Sequence, residues 1–203
     1  MGRALARQPL TAAEFLAWDA HEPLRHEYFR GEVFLMAGGE DRNATVQGNI
    51  YMALRHHLRG SPCRTYLSDV KLHIAAADGY FYPDVMVTCS AADAADRLIK
   101  REPTLVIEVL SPSTAAYDRG DKFAAYRLAP SLQEYALIDI DRRCCDVFCK
   151  RDDGLWVLHP FGPSQGLALS SVALEITPEL LWAELESAAA DSQADVAIQL
   201  GQG

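Results

Sequence analysis

The chain has 203 residues, 49% of them hydrophobic and 23% charged, with a net charge of −9. That length and balance predict one globular domain with a full core. They argue against a protein that coats nucleic acid through overall positive charge, although local fields matter more than the total. No apolar run approaches the ~20 residues of a membrane span. Met1 to Gln8 carries arginines without a following apolar segment, so no secretory signal is expected and a cytoplasmic location is. The five cysteines, Cys63, Cys89, Cys144, Cys145 and Cys149, are odd in number and lack paired CxxC spacing. Reduced thiols are therefore expected rather than a disulfide framework or a zinc site.

In chain order, Thr11–Ala20 predicts a short amphipathic helix, with Thr11 as N-cap and Glu14 closing a capping box. His26–Met36 reads as a hairpin turning at Arg30-Gly31-Glu32 and ended by Gly38-Gly39. Val46, Ile50, Ala53, Leu54 and Leu58 recur near a 3.6-residue period and predict a helix over 43–58. Strands are expected at Cys63–Leu67, Val70–Ile74 and Tyr80–Thr88, with Asp78-Gly79 as a turn. Ser90–Arg101 reads as a loop or short helix. Thr104–Leu110 is the most strand-like segment and ends at Ser111-Pro112. A helix over Ala115–Leu128 follows, then strands at Tyr135–Ile140, Asp146–Lys150 and Trp156–His159, and a last helix over Pro178–Leu185. The expected domain covers residues 1–187, with a flexible tail over 188–203.

Two acidic residues stand out. Asp84, in Tyr82-Pro83-Asp84-Val85, and Glu108, in Leu105-Val106-Ile107-Glu108-Val109-Leu110, each interrupt an apolar, β-branched run. An ionised carboxylate in such a strand is costly unless something pairs with it. Two on neighbouring strands would repel, and a divalent cation relieves that. Lys122 follows on the next predicted helix, four residues after Asp118. Asp, Glu and Lys in this order suggest metal-dependent phosphodiester hydrolysis. Asp84 and Glu108 would hold Mg²⁺ or Mn²⁺, and Lys122 would orient or deprotonate a water or stabilise developing charge.

The Pro-Asp, the Glu108-Val-Leu-Ser-Pro-Ser-Thr114 run, Tyr117-Asp118-Arg119-Gly120-Asp121-Lys122 and Glu134-Tyr135 together resemble the Uma-type family of restriction-endonuclease-like proteins. That family is placed in the PD-(D/E)XK nuclease superfamily. The resemblance runs from about Thr11 to about Leu185. It implies an α/β restriction-endonuclease-like fold, a mixed central sheet flanked by helices with an added N-terminal hairpin. It also implies a DNA substrate and a homodimer, and adds Glu27 to the catalytic and metal-binding residues; RNA or another phosphodiester is an alternative substrate. The superfamily's usual lysine position, two residues after the acidic one, is Leu110 here, so Lys122 is implied to be a migrated replacement. Arg42 stands where many relatives have His, and no role is assigned to it.

Other readings are weaker. Ser111 and Ser113 do not sit in a GxSxG elbow and more simply end a strand and cap a helix. His56-His57 lacks HExxH spacing. Cys144, Cys145 and Cys149 share one strand, which does not close a tetrahedral site. The alternative from another class is a nuclease fold kept as a catalytically weak or inactive module for nucleic-acid or protein interaction.

Overall fold

The computed structural model describes residues 9–36 and 39–185. Met1 to Gln8, Gly38 and the tail from 188 lie outside them. Helix α1 (Ala12–Asp19) begins at Thr11, whose hydroxyl accepts from the Glu14 N–H while the Glu14 carboxylate accepts from the Thr11 N–H. Strands β1 (His26–Phe29) and β2 (Glu32–Leu35) form the expected hairpin. Arg30 and Gly31 both have positive φ, as a tight two-residue hairpin turn requires. Helix α2 (Asp41–His57) buries Val46, Ile50 and Leu54 on one face.

β3 (Arg64–Leu67), β4 (Lys71–Ile74), β5 (Gly79–Phe81) and β6 (Val85–Thr88) follow. The single strand expected over Tyr80–Thr88 is thus two strands, and they belong to different sheets. Tyr82-Pro83-Asp84 is the crossing between them, where Pro83 has no N–H to give to a ladder. Next come α3 (Ala91–Ala95), capped by Ser90, β7 (Ile99–Lys100) and β8 (Pro103–Val109). The helix expected over Ala115–Leu128 is α4 (Ala115–Tyr117), one π-helical turn over Asp118–Lys122, and α5 (Phe123–Tyr126). β9 (Glu134–Asp139), β10 (Cys144–Lys150), β11 (Trp156–Phe161), β12 (Leu167–Leu169), β13 (Leu174–Ile176) and α6 (Pro178–Leu181) complete the described chain.

The central sheet has six strands in the order β11-β10-β9-β8-β6-β3. It is mixed: β8 and β9 are parallel, joined by the α4–α5 crossover, and the other neighbours are antiparallel. α2 covers one face, packing Val46, Ile50 and Leu54 on Val85, Val87, Leu105 and Ile107. Phe123 and Tyr126 of α5 cover the other, on Met86, Val106, Tyr135 and Leu137. A second sheet, β2-β1-β5-β4-β7, carries the hairpin against this layer.

The cysteines correct one expectation. Cys63 and Cys89 form a disulfide, while Cys144, Cys145 and Cys149 are free. Arg64 pairs with Thr88 at the end of the β3–β6 ladder. Cys63 and Cys89 are the next residues outward, so the antiparallel register brings them face to face across 26 residues of chain. No helix among the described residues is long and apolar enough to cross a membrane.

Candidate active site

The site forms where β6 begins and β8 ends. The last ladder pair there is Val85 with Ile107, so Asp84 and Glu108 stand opposite each other one step further along. Each carboxylate reaches the other's strand. Asp84 Oδ2 accepts from the Val109 N–H at 2.7 Å, and Glu108 Oε2 accepts from the Asp84 N–H at 3.4 Å. Alternation along β8 turns Glu108 to the same face as Val106, toward α5. Asn43, in the first turns of α2, holds this strand end by donating to the Val109 and Leu110 carbonyls.

On that face, Lys122 Nζ lies 2.9 Å from Glu108 Oε1, 3.3 Å from Glu27 Oε1 and 3.6 Å from Asp118 Oδ1. Tyr126, four residues after Lys122, donates to the same Glu108 oxygen at 2.8 Å. Glu27 comes from β1, and its Oε1 also accepts the Tyr82 N–H at 3.1 Å. The π turn carries both Asp118 and Lys122, and the Tyr135 hydroxyl ties it to the sheet through the Asp118 carbonyl. Widened helical turns of this kind are frequent at functional sites. All four residues singled out in the sequence, Asp84, Glu108, Lys122 and Glu27, therefore meet in one place. Glu27 reaches Glu108 through Lys122.

The electrostatic balance is uneven. Three carboxylates, Glu27, Glu108 and Asp118, contact one lysine, and a fourth, Asp84, stands beside Glu108; Asp84 is half-buried and the other four residues are buried. Burial pushes Asp84 up to about 6, against the pull of Lys122 and the Val109 N–H. Burial also raises Glu108 well above the usual carboxylate range; Lys122 opposes this, and the charges of Asp84, Asp118 and Glu27 add to it. For Lys122, burial works to lower the value, but Glu108 and Glu27 raise it well above the ordinary one. Lys122 is thus an ammonium in this state, a charge donor and not a ready base. Burial and the Glu108 charge raise Tyr126 as well, which keeps it a phenol donor. The Tyr117 hydroxyl, subject to the same charges, is buried without a hydrogen-bond partner.

Hard oxygen donors, a shortage of positive charge and an orphaned hydroxyl suit a divalent cation. Among the described residues no three His, Cys, Asp or Glu side chains converge as a ready-made metal cage. The protein's share of such a site would be Asp84 and Glu108. That is compatible with Mg²⁺, which keeps several waters and takes one or two carboxylates beside a substrate phosphate.

Sequence reading missed Tyr126 and Tyr117. Tyr126 had a usable signal, since i+4 from Lys122 lies on the same helical face. The partners of Arg42 are ordinary: it pairs with Asp141 at 3.0 Å on an exposed surface.

The fold is shared with a solved structure. The crystal structure of a protein described as a "putative nuclease belonging to DUF820", from Anabaena variabilis ATCC 29413, superposes with a TM-score of 0.71 at 18% identity, over 86% of this chain and 98% of that one. The family model "Uma2: Putative restriction endonuclease" matches residues 12–183, and the chain belongs to that family. Two relatives from Synechocystis sp. (strain ATCC 27184 / PCC 6803 / Kazusa) are also similar. The uncharacterized protein slr1290 is 36% identical over 85% of this chain and 91% of its own length. The uncharacterized protein sll1609 is 34% identical over 73% and 85%.

Proposed function

We propose that this protein is a nuclease that hydrolyses DNA phosphodiester bonds with Mg²⁺ or Mn²⁺. The observation that carries the reading is the opposed pair Asp84 and Glu108, each accepting a backbone N–H from the other's strand while Lys122 sits on Glu108. A pair of carboxylates, one buried and one half-buried, with too little positive charge has a reason to exist when a cation and an anionic substrate arrive together. A bound divalent ion supplies polarisation of the phosphodiester and a more acidic water. The remaining chemistry belongs to the chain. Lys122 keeps its proton on Nζ and places that charge toward the oxygens that become more negative as phosphorus is attacked. Glu27 acts through Lys122, sharing it with Glu108 and fixing its direction. Tyr126 holds Glu108 in one rotamer. Asp118 anchors Lys122 from its own helix.

Cleavage of supercoiled plasmid with Mg²⁺ or Mn²⁺ tests the reading. Wild type nicks or linearises the plasmid; EDTA and Asp84→Asn stop it. Calorimetry with Mn²⁺ separates the metal from the chemistry. A Mn²⁺ site indifferent to both Asp84→Asn and Glu108→Gln sinks the assignment of these carboxylates, even if cleavage is seen.

A further inference from the structure

A cleft lies at the end of the central layer opposite the active site. Asn43 of α2 touches the active-site end of β8, and Arg55 lies 12 residues further along the helix, about 18 Å at 1.5 Å per residue. Arg64 stands opposite Thr88, four residues and about 13 Å along β6 from Asp84. Between the end of α2 and the start of β3 is a cleft of about 740 Å³. Tyr51, Arg55, His56, Arg59, Arg64 and Thr65 are among its lining residues, and no carboxylate is.

In a chain of net charge −9, this grouping is out of character. Arg55, Arg59 and Arg64 are exposed, and none forms an ion pair with a described residue. Arg64 Nη1 donates to the Ser61 and Cys63 carbonyls, which steadies its guanidinium at the mouth. The helix dipole favours cations in the last turn of α2, which accounts for Arg55 and His56. It does not account for Arg59, past the helix, or for Arg64, on a strand. A separate observation points the same way. Thr65 is only 5% exposed and its hydroxyl has no partner, leaving a buried polar atom in the wall of the cleft. Unsatisfied buried hydroxyls are uncommon and call for a partner.

We infer that this cleft binds the phosphates of a nucleic-acid backbone, at a site separate from the carboxylates. Guanidinium forks match phosphate oxygens, and three of them on two segments exceed what one phosphate needs and suit a polyanion. The inference rests on the nuclease reading only for the choice of nucleic acid as the polyanion. The cleft lies beyond the far end of β6 from Asp84 and on the α2 side of the sheet, whereas Glu108 and Lys122 lie on the α5 side. A duplex held here is a second grip on the substrate, able to retain it after a cut.

Fluorescence anisotropy of a labelled DNA duplex in EDTA tests this without cleavage. Arg55→Gln with Arg59→Gln weakens binding about tenfold or more and lowers the slope of log affinity against log salt by about two. A matched removal of exposed charge elsewhere, Arg97→Gln with Arg151→Gln, stays within about twofold of wild type. Arg64→Gln alone lowers the slope by about one. Thermal melting checks that each variant folds. Equal weakening by the two pairs, or none by the first, overturns the proposal. Cleavage by a wild type whose duplex binding ignores the cleft variants overturns this site alone. Cleft-dependent binding with no cleavage under any divalent metal keeps this site and overturns the nuclease reading.

Discussion

Glu108 and Glu134 occupy neighbouring parallel strands, β8 and β9, and are almost equally buried, at 2% and 1% exposure. Their surroundings differ in kind. Glu134 accepts five donors: the Ser170 and Ser171 N–H groups at 2.8 and 2.9 Å, both serine hydroxyls at 2.7 and 2.6 Å, and the Cys149 thiol at 3.2 Å. The donors are neutral, and they tie the turn between β12 and β13 to the sheet. Glu108 has one phenol, one lysine and one long backbone bond, with three other carboxylates acting on it or sharing its lysine. Burial alone therefore does not separate a carboxylate proposed for catalysis from a structural one. The balance of donors against charge does: Glu134 is satisfied as it stands, and Glu108 is short of positive charge.

Exchanging each for glutamine gives the largest contrast. Glu108→Gln lowers plasmid cleavage by at least about a hundredfold, while the melting temperature holds or rises because a buried charge has gone. Glu134→Gln does the reverse. Its amide faces serine donors that no longer find acceptors, costing about 2–3 kcal/mol and a melting temperature lower by roughly 5–10 °C. Cleavage per folded molecule stays near wild type. Matching losses of cleavage in the two variants would dissolve the distinction.

Lys122→Met sharpens it from the cationic side. Removing the one lysine leaves uncompensated buried carboxylates, destabilising the metal-free protein by about 3–5 kcal/mol. Lys122→Arg keeps the charge but presents a planar fork where a point charge sits between Glu27 and Glu108, so it restores stability better than cleavage. Melting curves and plasmid assays on the two variants separate these effects.

The same shortage makes stability depend on pH. Asp84 titrates at about 6 in the folded chain, against about 4 for an unfolded aspartate. The folded protein holds that proton more tightly, so this contribution to stability is full below about pH 4 and is lost as pH rises through about 6. The metal-free wild type loses more stability across that window than Asp84→Asn does. Mn²⁺ at neutral pH recovers stability in wild type, since a ligand of the folded state alone stabilises it. A wild type and Asp84→Asn with parallel pH profiles would remove Asp84 from the charge-poor group.

Much of this contrast was legible in the chain. Glu108 is conspicuous because a charge interrupts Leu-Val-Ile and Val-Leu, and Asp84 because it interrupts an apolar run, although the strand break at Pro83 was not foreseen. Their separation allows neighbouring strands, and the ladder places them opposite. Lys122 came into view as the lysine on the next predicted helix, with the family resemblance in support, but the π turn that presents it has no local signature beyond Gly120. Register was not legible. It decides the Cys63–Cys89 disulfide, and nothing in the spacing of those residues announces that they face each other. Strands of two or three residues, β7, β12 and β13, fall below any periodicity, so the turn that satisfies Glu134 was invisible. Glu134 itself was noted only as part of the resemblance.

Tyr126 offers the finest test, because it touches the boundary between the two kinds of site. Its phenol is a neutral side-chain donor on Glu108, and the role resembles that of Ser170 toward Glu134. If Glu108 depended on such donors as Glu134 does, Tyr126→Phe would cost stability. Instead Glu108 stays bound to Lys122 after the change, and the lost hydrogen bond to the carboxylate amounts to about 1.5 kcal/mol. What disappears is the restraint that keeps Oε1 turned toward the helix and Oε2 toward Asp84. Tyr126→Phe should therefore weaken Mn²⁺ binding and cleavage by about tenfold, the scale seen when a partner that orients a metal ligand is removed, with a melting temperature within a few degrees of wild type. Calorimetry on the variant decides between the two roles: tight Mn²⁺ binding with a large fall in stability would place Tyr126, and Glu108 with it, on the structural side.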